Sequence, residues 1–149
     1  MHALYDVETR IPAFFHITEA SVHDSKVMIE IPYEPNSYYI FDRGYNNFKM
    51  LYKIHQIEAY FVVRAKKNLG YKSIQWKCRL PKNALSDASV LLTGFYPKQY
   101  YPEPLRLVKY WDEEQEREFT FITNATHISA LQVAELYKNR WQVELLFSV

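Results

Sequence analysis

The sequence predicts an α/β fold with a partly parallel sheet, and two features of its pattern carry that prediction. Two compact apolar runs, residues 38–41 and 59–64, flank a segment with helical periodicity at residues 47–57. Neither run alternates polar and apolar side chains, which is typical of strands covered on both faces. A strand–helix–strand order of this kind joins parallel strands. The helical pattern then disappears until a final helix, so about residues 65–124 are predicted to form a β-rich insertion.

Ahead of this unit, residues 2–7 and 11–18 are predicted to be two short strands joined by a turn. Pro12 weakens the second strand, because proline cannot donate a hydrogen bond to the ladder. Residues 22–31 have the apolar spacing of a short helix.

The final helix has a strong predicted start. Ser129 and Gln132 have the spacing of a capping box, and Ile128 with Val133 has that of a hydrophobic staple. Within the insertion, the predicted strands are residues 71–76, 90–93, 105–111 and 119–123.

Composition indicates one folded domain over residues 1–149. Hydrophobic residues make up 48% of the chain, which has 13 Tyr and 9 Phe, as expected of a packed domain and not of a disordered one. No apolar run approaches the roughly 20 residues of a membrane span, so no membrane is expected as a partner. The single cysteine, Cys78, excludes an internal disulfide, and we therefore expect a reducing, cytoplasmic setting near the nucleoid if DNA is the partner.

The net charge of +1 hides a strongly basic stretch. No acid occurs between Glu58 and Asp87, whereas Tyr71 and Trp76 are interleaved with basic residues. Such a stretch can follow a phosphate backbone and offer faces for stacking, although a solvated basic loop has the same composition. The basic residues are Arg64, Lys66, Lys67, Lys72, Lys77, Arg79 and Lys82. Acids gather instead between residues 112 and 118, where we expect a hairpin turn.

The last helix places charge on its packing side. Tyr137, Arg140 and Glu144 fall within an arc of about 60° at roughly 100° per residue, and apolar side chains flank that arc. A charge on a packing face is costly unless it is paired or binds a ligand. Two other interpretations stay open: Arg140 and Glu144 could form a structural i, i+4 pair, and Tyr137 could belong to the core.

Asp42 follows the buried strand 38–41, and the carboxyl ends of such strands are where open α/β sheets bind ligands. An aspartate there could equally cap a helix or a turn. His23 and Asp24 resemble a two-residue metal motif, but the sequence around them offers no further ligands, and a helix cap explains them as well.

Together these residues resemble a known family. Residues 39–45, in the order Tyr-Ile-Phe-Asp-Arg-Gly-Tyr, and the later pattern of Tyr137, Arg140 and Glu144 resemble the bacterial DDE transposases of the insertion-sequence-four type. The resemblance covers essentially the whole chain.

The resemblance implies a ribonuclease-H-like core in which two aspartates and a glutamate hold two divalent metal ions, Mg or Mn. Asp42 matches the second aspartate and Glu144 the glutamate, so both are expected to be metal ligands and catalytic residues. Tyr137 and Arg140 match residues used on transposon-end DNA, and Arg64, Lys66 and Lys67 are the expected DNA contacts of the basic stretch. The implied partners are double-stranded DNA of the element ends and the target, together with a homodimer of the complete enzyme.

The chain departs from the family pattern at both ends. By this resemblance we expect the chain to lack the first core strand and its aspartate, since Asp6 falls on the second strand of that pattern, and to lack the lysine that the pattern places seven residues after Glu144. We therefore expect an incomplete ribonuclease-H-like domain, lacking its first strand, with unpaired strand edges, low stability and no activity as an isolated chain. The predicted function is that of a transposase fragment. The alternatives are a DNA-binding module without catalysis and an unrelated ribonuclease-H-type nuclease.

Overall fold

The computed structural model describes the backbone of residues 2–7, 11–18, 34–41 and 47–147, and the side chains within residues 34–41 and 47–139. The described strands are β1 (His2–Val7), β2 (Ile11–Thr18), β3 (Tyr38–Phe41), β4 (Tyr60–Arg64), β5 (Tyr71–Trp76), β6 (Ala84–Leu92), β7 (Leu105–Asp112) and β8 (Arg117–Thr123). The described helices are α1 (Phe48–Gln56), α2 (Phe95–Tyr100) and α3 (Ala130–Phe147). The helix predicted at residues 22–31, with His23 and Asp24, lies outside these residues.

The described strands form one mixed sheet in the order β1-β2-β3-β4-β8-β7-β6-β5. Strands β2, β3 and β4 are parallel, whereas β8 joins the far side of β4 in antiparallel orientation and β7, β6 and β5 continue as an antiparallel meander. The partly parallel sheet is therefore confirmed. Residues 65–124 contain the strands β5 to β8, whereas their status as an insertion into a ribonuclease-H-like core remains a prediction.

Strand β3 is buried on both faces, as its unbroken apolar run predicts. Tyr38 and Ile40 belong to the cluster beneath α3, whereas Tyr39 and Phe41 belong to the cluster beneath α1. Successive side chains of a strand point to opposite faces, so four consecutive apolar residues are what a sheet between two helical layers requires. Helices consequently cover both faces of the parallel part of the sheet.

Helix α1 begins where the side chain of Asn47 accepts a hydrogen bond from the Met50 amide at 3.1 Å. Its inner face is formed by Leu51 and Ile54, both fully buried. The chain then reverses at Glu58, whose φ is 64°, and enters β4. The β3-α1-β4 unit thus matches the predicted strand–helix–strand order.

One of the strand edges that we expected to be unpaired is paired over half its length. Strand β2 pairs with β3 in parallel, with Ile17 opposite Ile40 and Thr18 opposite Phe41. Ile40 and Phe41 therefore have ladder partners on both sides, so the expectation of an unpaired edge is wrong for this half of β3.

The insertion contains one helix that the sequence pattern did not predict. Helix α2 has only six residues, and Pro97 lies within its first turn, where a missing amide proton costs no intrahelical bond. Six residues that include a proline give too short a periodicity to detect. The insertion strands agree with prediction, except that the one predicted at residues 90–93 extends back to Ala84.

The start of α3 is the predicted capping box. The Ser129 amide donates to Gln132 Oε1 at 2.7 Å, and the Gln132 amide donates to Ser129 Oγ at 3.1 Å. Ile128 and Val133, the expected staple pair, are both buried in the cluster beneath α3. These local contacts fix where α3 begins on the sheet.

Candidate nucleic-acid interface and metal-ligand positions

The parallel strands end at one edge of the sheet, and that edge is the position expected for a ligand. The register pairs Phe41 with Val63, so β3 and β4 end together, and Arg64 is the last residue of β4. Asp42 follows Phe41 in the sequence, but it lies outside the described residues. Its predicted role as a metal ligand remains a prediction.

Helix α3 connects the other predicted residues to the same strands. Its backbone is described through Phe147, and it contacts β3 and β4. The helix that carries Arg140 and Glu144 therefore lies on the strand that leads to Asp42. The side chains of Arg140 and Glu144 are outside the described residues, so their predicted roles also remain predictions.

Tyr137 is placed in the core. Its side chain is 3% exposed and its ring centroid lies 5.8 Å from that of Phe119 and 5.0 Å from that of Phe121. A ring buried in this way offers no open face for a base. Direct contact of Tyr137 with DNA remains a prediction. What the structure shows is a ring that packs in the core against Phe119 and Phe121.

Arg64, Lys66 and Lys67, the three basic residues predicted to bind DNA, line one pocket of about 510 Å³. Lys109 and Arg117 line the same pocket, so the described residues that line it include five basic residues and one acidic residue, Glu118. Within the described part of the chain, no carboxylate lies within 4 Å of Lys66, Lys67, Lys109 or Arg117. We call this group of residues the basic pocket. A concave surface at which cations outnumber carboxylates attracts polyanions.

Two of the five cations escaped the sequence reasoning, for different reasons. Arg117 lies among the acids of residues 112–118, so the local net charge is negative and gives no indication of a basic site. Those acids do surround a hairpin turn, as predicted, because β7 and β8 pair from Asp112 and Arg117 onward. Lys109 reaches the pocket because it pairs with Thr120, whose carbonyl accepts from the Ala65 amide at 2.8 Å. Only non-local pairing brings these residues to Lys66.

The rest of the basic stretch does not join the pocket. Lys77 Nζ lies 3.6 Å from Asp87 Oδ2, and Lys82 Nζ lies 3.6 Å from Glu113 Oε1. Composition therefore overstated the charge available to a ligand. For the part that includes Lys77 and Lys82, the alternative of a solvated basic segment remains open. The part that includes Arg64, Lys66 and Lys67 lines a concave surface.

Two arginines of the basic pocket share one aromatic ring. The guanidinium carbon of Arg64 lies 4.9 Å from the Phe119 centroid, and that of Arg117 lies 4.8 Å from it. Both distances are within the range of cation–π attraction. Phe119 is itself 5% exposed and contacts Tyr137, so the ring is fixed from below.

A buried ion pair joins the insertion to the start of α3. Arg106 donates from Nε to Asp87 Oδ1 at 2.8 Å and from Nη2 to Asp87 Oδ2 at 2.7 Å. Its Nη1 donates to the carbonyls of Ala125 and Ile128 at 3.0 and 2.5 Å. Burial by itself raises the pKa of Asp87, but the hydrogen bonds and charge of Arg106, with the charge of Lys77, outweigh it and hold that pKa below its usual value.

Among the described residues, no group of three or more His, Cys, Asp or Glu side chains is arranged to hold a metal ion. The two carboxylates predicted as ligands lie outside that part of the chain. No helix in the described part of the chain is both long and apolar enough to cross a membrane.

This mixed α/β architecture is compatible with a nuclease-like fold. The whole chain, residues 1–149, matches the family model described as "Transposase DDE domain", and the chain therefore belongs to that family.

Two curated relatives agree with the family. One is "Putative transposase y4zB" of Sinorhizobium fredii, 35% identical over 99% of this chain and 42% of the relative. The other is "Probable transposase for insertion sequence element IS5377" of Geobacillus stearothermophilus, 25% identical over 99% of this chain and 39% of the relative. The chain thus spans about two fifths of the length of these relatives.

Proposed function

We propose that this chain is part of the catalytic domain of an insertion-sequence transposase of the insertion-sequence-four type, with a ribonuclease-H-like core. The observation that supports this most directly is the basic pocket beside the edge where β3 and β4 end. In an open α/β sheet that edge binds the ligand, and here the first residue after β3 is an aspartate. A polyanion held in the pocket would lie next to the proposed catalytic edge.

Asp42 and Glu144 are the proposed ligands of divalent metal ions, Mg or Mn. Carboxylate oxygens are the donors that such hard cations prefer, so the chemistry of the two side chains fits the role. Metal ions bound there would stabilise the attacking and leaving oxygens of an in-line phosphoryl displacement. Two ions are proposed for the complete enzyme, as the family resemblance implies.

The residues of the basic pocket would position the DNA backbone. Arginine can hold a phosphate through two parallel hydrogen bonds, whereas lysine acts as a point charge. Arg64 and Arg117 would therefore fix the register of the strand, and Lys66, Lys67 and Lys109 would add affinity that depends on salt. Arg140 is proposed as a further phosphate contact from α3.

Equilibrium binding to a labelled duplex tests the DNA interface. Changing Lys66 to Gln or Lys109 to Gln should weaken binding for any sequence and reduce the slope of log K against log salt by about 0.9 for each phosphate that the variant no longer neutralises. Lys53→Gln on α1 is the matched control, because Lys53 is exposed and does not line the pocket. Equal weakening by all three changes would contradict the assignment of the pocket.

Catalysis needs a separate test. The resemblance matches two of its three carboxylates to this chain, Asp42 and Glu144, and we propose on that ground that the chain alone nicks no DNA in Mg²⁺ or Mn²⁺. Nicking by the pure chain that is abolished by Asp42→Ala would overturn the expected inactivity. It would at the same time support the placement of the metal site.

A DNA-binding module without catalysis is the second candidate, and the basic pocket favours it equally. Adding the missing aspartate distinguishes the two, for example by co-expressing the upstream segment of a relative. Metal-dependent nicking that requires Glu144 would favour the transposase, whereas DNA binding that is unchanged by Glu144→Ala, without nicking, would favour the binding module. Nicking without joining of the ends to target DNA would favour an unrelated ribonuclease-H-type nuclease. Homodimerisation remains a prediction for the complete enzyme.

A further inference from the structure

We propose that Phe119 is a positioning residue that holds the guanidinium groups of Arg64 and Arg117 ready for the DNA backbone. The inference rests on the proposed function, because it assigns a task to one ring within the proposed DNA interface. It starts from one observation: two arginines from different strands have their guanidinium carbons within 5 Å of the centroid of the same ring.

The strand pattern explains why the three residues meet. Phe119 and Phe121 belong to the cluster beneath α3, and Arg117 precedes Phe119 by two positions on the same strand. Val62 belongs to that cluster too, and Arg64 follows it by two positions on β4. Residues two apart share a face of the sheet. Arg64, Arg117 and Phe119 are therefore all on the face that α3 covers. Lys109, which pairs with Thr120, is on the opposite face, so the two guanidinium groups extend the proposed interface beyond the lysines of the basic pocket.

An arginine held over a ring by cation–π attraction remains able to bind phosphate. The ring attracts the flat face of the guanidinium group, and the N–H bonds lie in the plane of that group and point outward from its edge. Two guanidinium groups on one ring are also held within about 10 Å of each other, the reach of a few successive phosphates at roughly 3.4 Å of axial rise. Ordering them before DNA arrives reduces the conformational entropy that binding would otherwise cost.

This arrangement gives Tyr137 an indirect role. Its ring packs on both Phe119 and Phe121, so Tyr137 supports from α3 the ring over which the two arginines lie. Tyr137 can then influence DNA binding without touching DNA, in agreement with its 3% exposure. Through this contact the helix that carries Glu144 and the pair of arginines share one rigid support.

The first experiment compares Phe119→Leu with Phe121→Leu. Both changes remove a buried ring that contacts Tyr137, but only Phe119 has both guanidinium groups over it. We expect Phe119→Leu to weaken binding to a labelled duplex about fivefold more than Phe121→Leu does, with an almost unchanged salt slope, because the arginines still reach phosphate but are no longer ordered beforehand. Phe119→Tyr, which keeps the aromatic face, should bind like the wild type. Equal weakening by the two leucine variants would overturn the proposal.

Loss of structure and loss of positioning are separated by repeating Phe119→Leu in an Arg64→Gln/Arg117→Gln background. In that background both guanidinium groups are missing, so a residue that only positions them should have no further effect, and Phe119→Leu should no longer weaken DNA binding. The same additional weakening in both backgrounds would overturn the proposal, because it would show a general effect on the fold.

A measurement on the wild-type chain keeps the proposal testable if the leucine variants do not fold. The Nε–Hε groups of Arg64 and Arg117 should show higher heteronuclear NOE values without DNA than that of Arg79, which is exposed. Equal mobility of all three would overturn the inference. Absence of DNA binding by the wild type would overturn the proposed function and this inference together, whereas binding that Phe119→Leu leaves unchanged would overturn this inference alone.

Discussion

Replacing Asp87 by Asn should destabilise the chain by about 3–5 kcal/mol, because it leaves a buried guanidinium group without its counter-charge. Asp87 and Arg106 are 3% and 5% exposed, and two hydrogen bonds of 2.8 and 2.7 Å join them. Asparagine has nearly the same shape, so little of the destabilisation would come from packing. A domain of this kind has about 5–15 kcal/mol of stability in total, so the change would remove a large part of it.

Urea unfolding followed by tryptophan fluorescence measures this destabilisation. With an m value of about 2 kcal/mol/M, a decrease of about 3–5 kcal/mol lowers the midpoint by roughly 1.5–2.5 M. Glu113→Gln is the control, because its partner Lys82 is 84% exposed and an exposed pair contributes at most about 1 kcal/mol.

A double variant tests the cause. Asp87→Asn combined with Arg106→Met removes the stranded charge, so its destabilisation should fall well below the sum of the two single changes. The destabilisation should not vanish, because the carbonyls of Ala125 and Ile128 would lose their donor as well. A midpoint for Asp87→Asn that matches the one for Glu113→Gln would refute the reasoning.

Three further predictions concern pH and the start of α3. The pKa of Asp87 is lower in the folded chain than in the unfolded chain, so its stabilisation should be complete above the unfolded value of about 3.9 and be lost as pH falls through the folded pKa. Unfolding measured between about pH 2 and 6 should show this decline for the wild type and not for Asp87→Asn. Partial desolvation and the charge of Arg106 lower the pKa of His127, an exposed residue that is hydrogen-bonded to the Tyr38 hydroxyl. Its NMR titration should therefore have a midpoint below that of the chain unfolded in urea, and stability should decrease as pH falls below about 6.5. Ser129→Ala should cost about 1 kcal/mol in urea unfolding, because it removes the cap of α3, whereas Thr126→Ala at an exposed position nearby should cost less than about 0.5 kcal/mol.

The elements that could be predicted are those defined by neighbours in the sequence. The buried run of β3, the periodicity of α1 and the capping box of Ser129 and Gln132 each depend on residues within one element. The short helix α2 was missed because six residues that include Pro97 have too little periodicity to detect. Unpaired strand edges were expected from a family pattern, whereas β2 pairs with Ile40 and Phe41 of β3.

The candidate site shows the same division. The sequence singled out Arg64, Lys66 and Lys67 by their charge, and they do line one pocket. It could not identify Lys109 or Arg117, because they reach that pocket through the pairing of β7 with β8 and of β8 with β4. Nor could it show that Lys77 and Lys82 have acidic partners, since Asp87 and Glu113 belong to later strands and turns.

The sequence by itself therefore determined the family, the strand–helix–strand unit and the residue types of the proposed metal site, because short-range periodicity and spacing carry that information. Only the tertiary structure decided which cations converge, because strands far apart in the sequence must pair before their side chains meet. It also placed the Tyr137 ring against Phe119 in the core, an interpretation that the sequence left open beside contact with DNA. Charge and helical spacing are local properties of the sequence, whereas the basic pocket and the contacts of Phe119 depend on how the strands of the sheet pair.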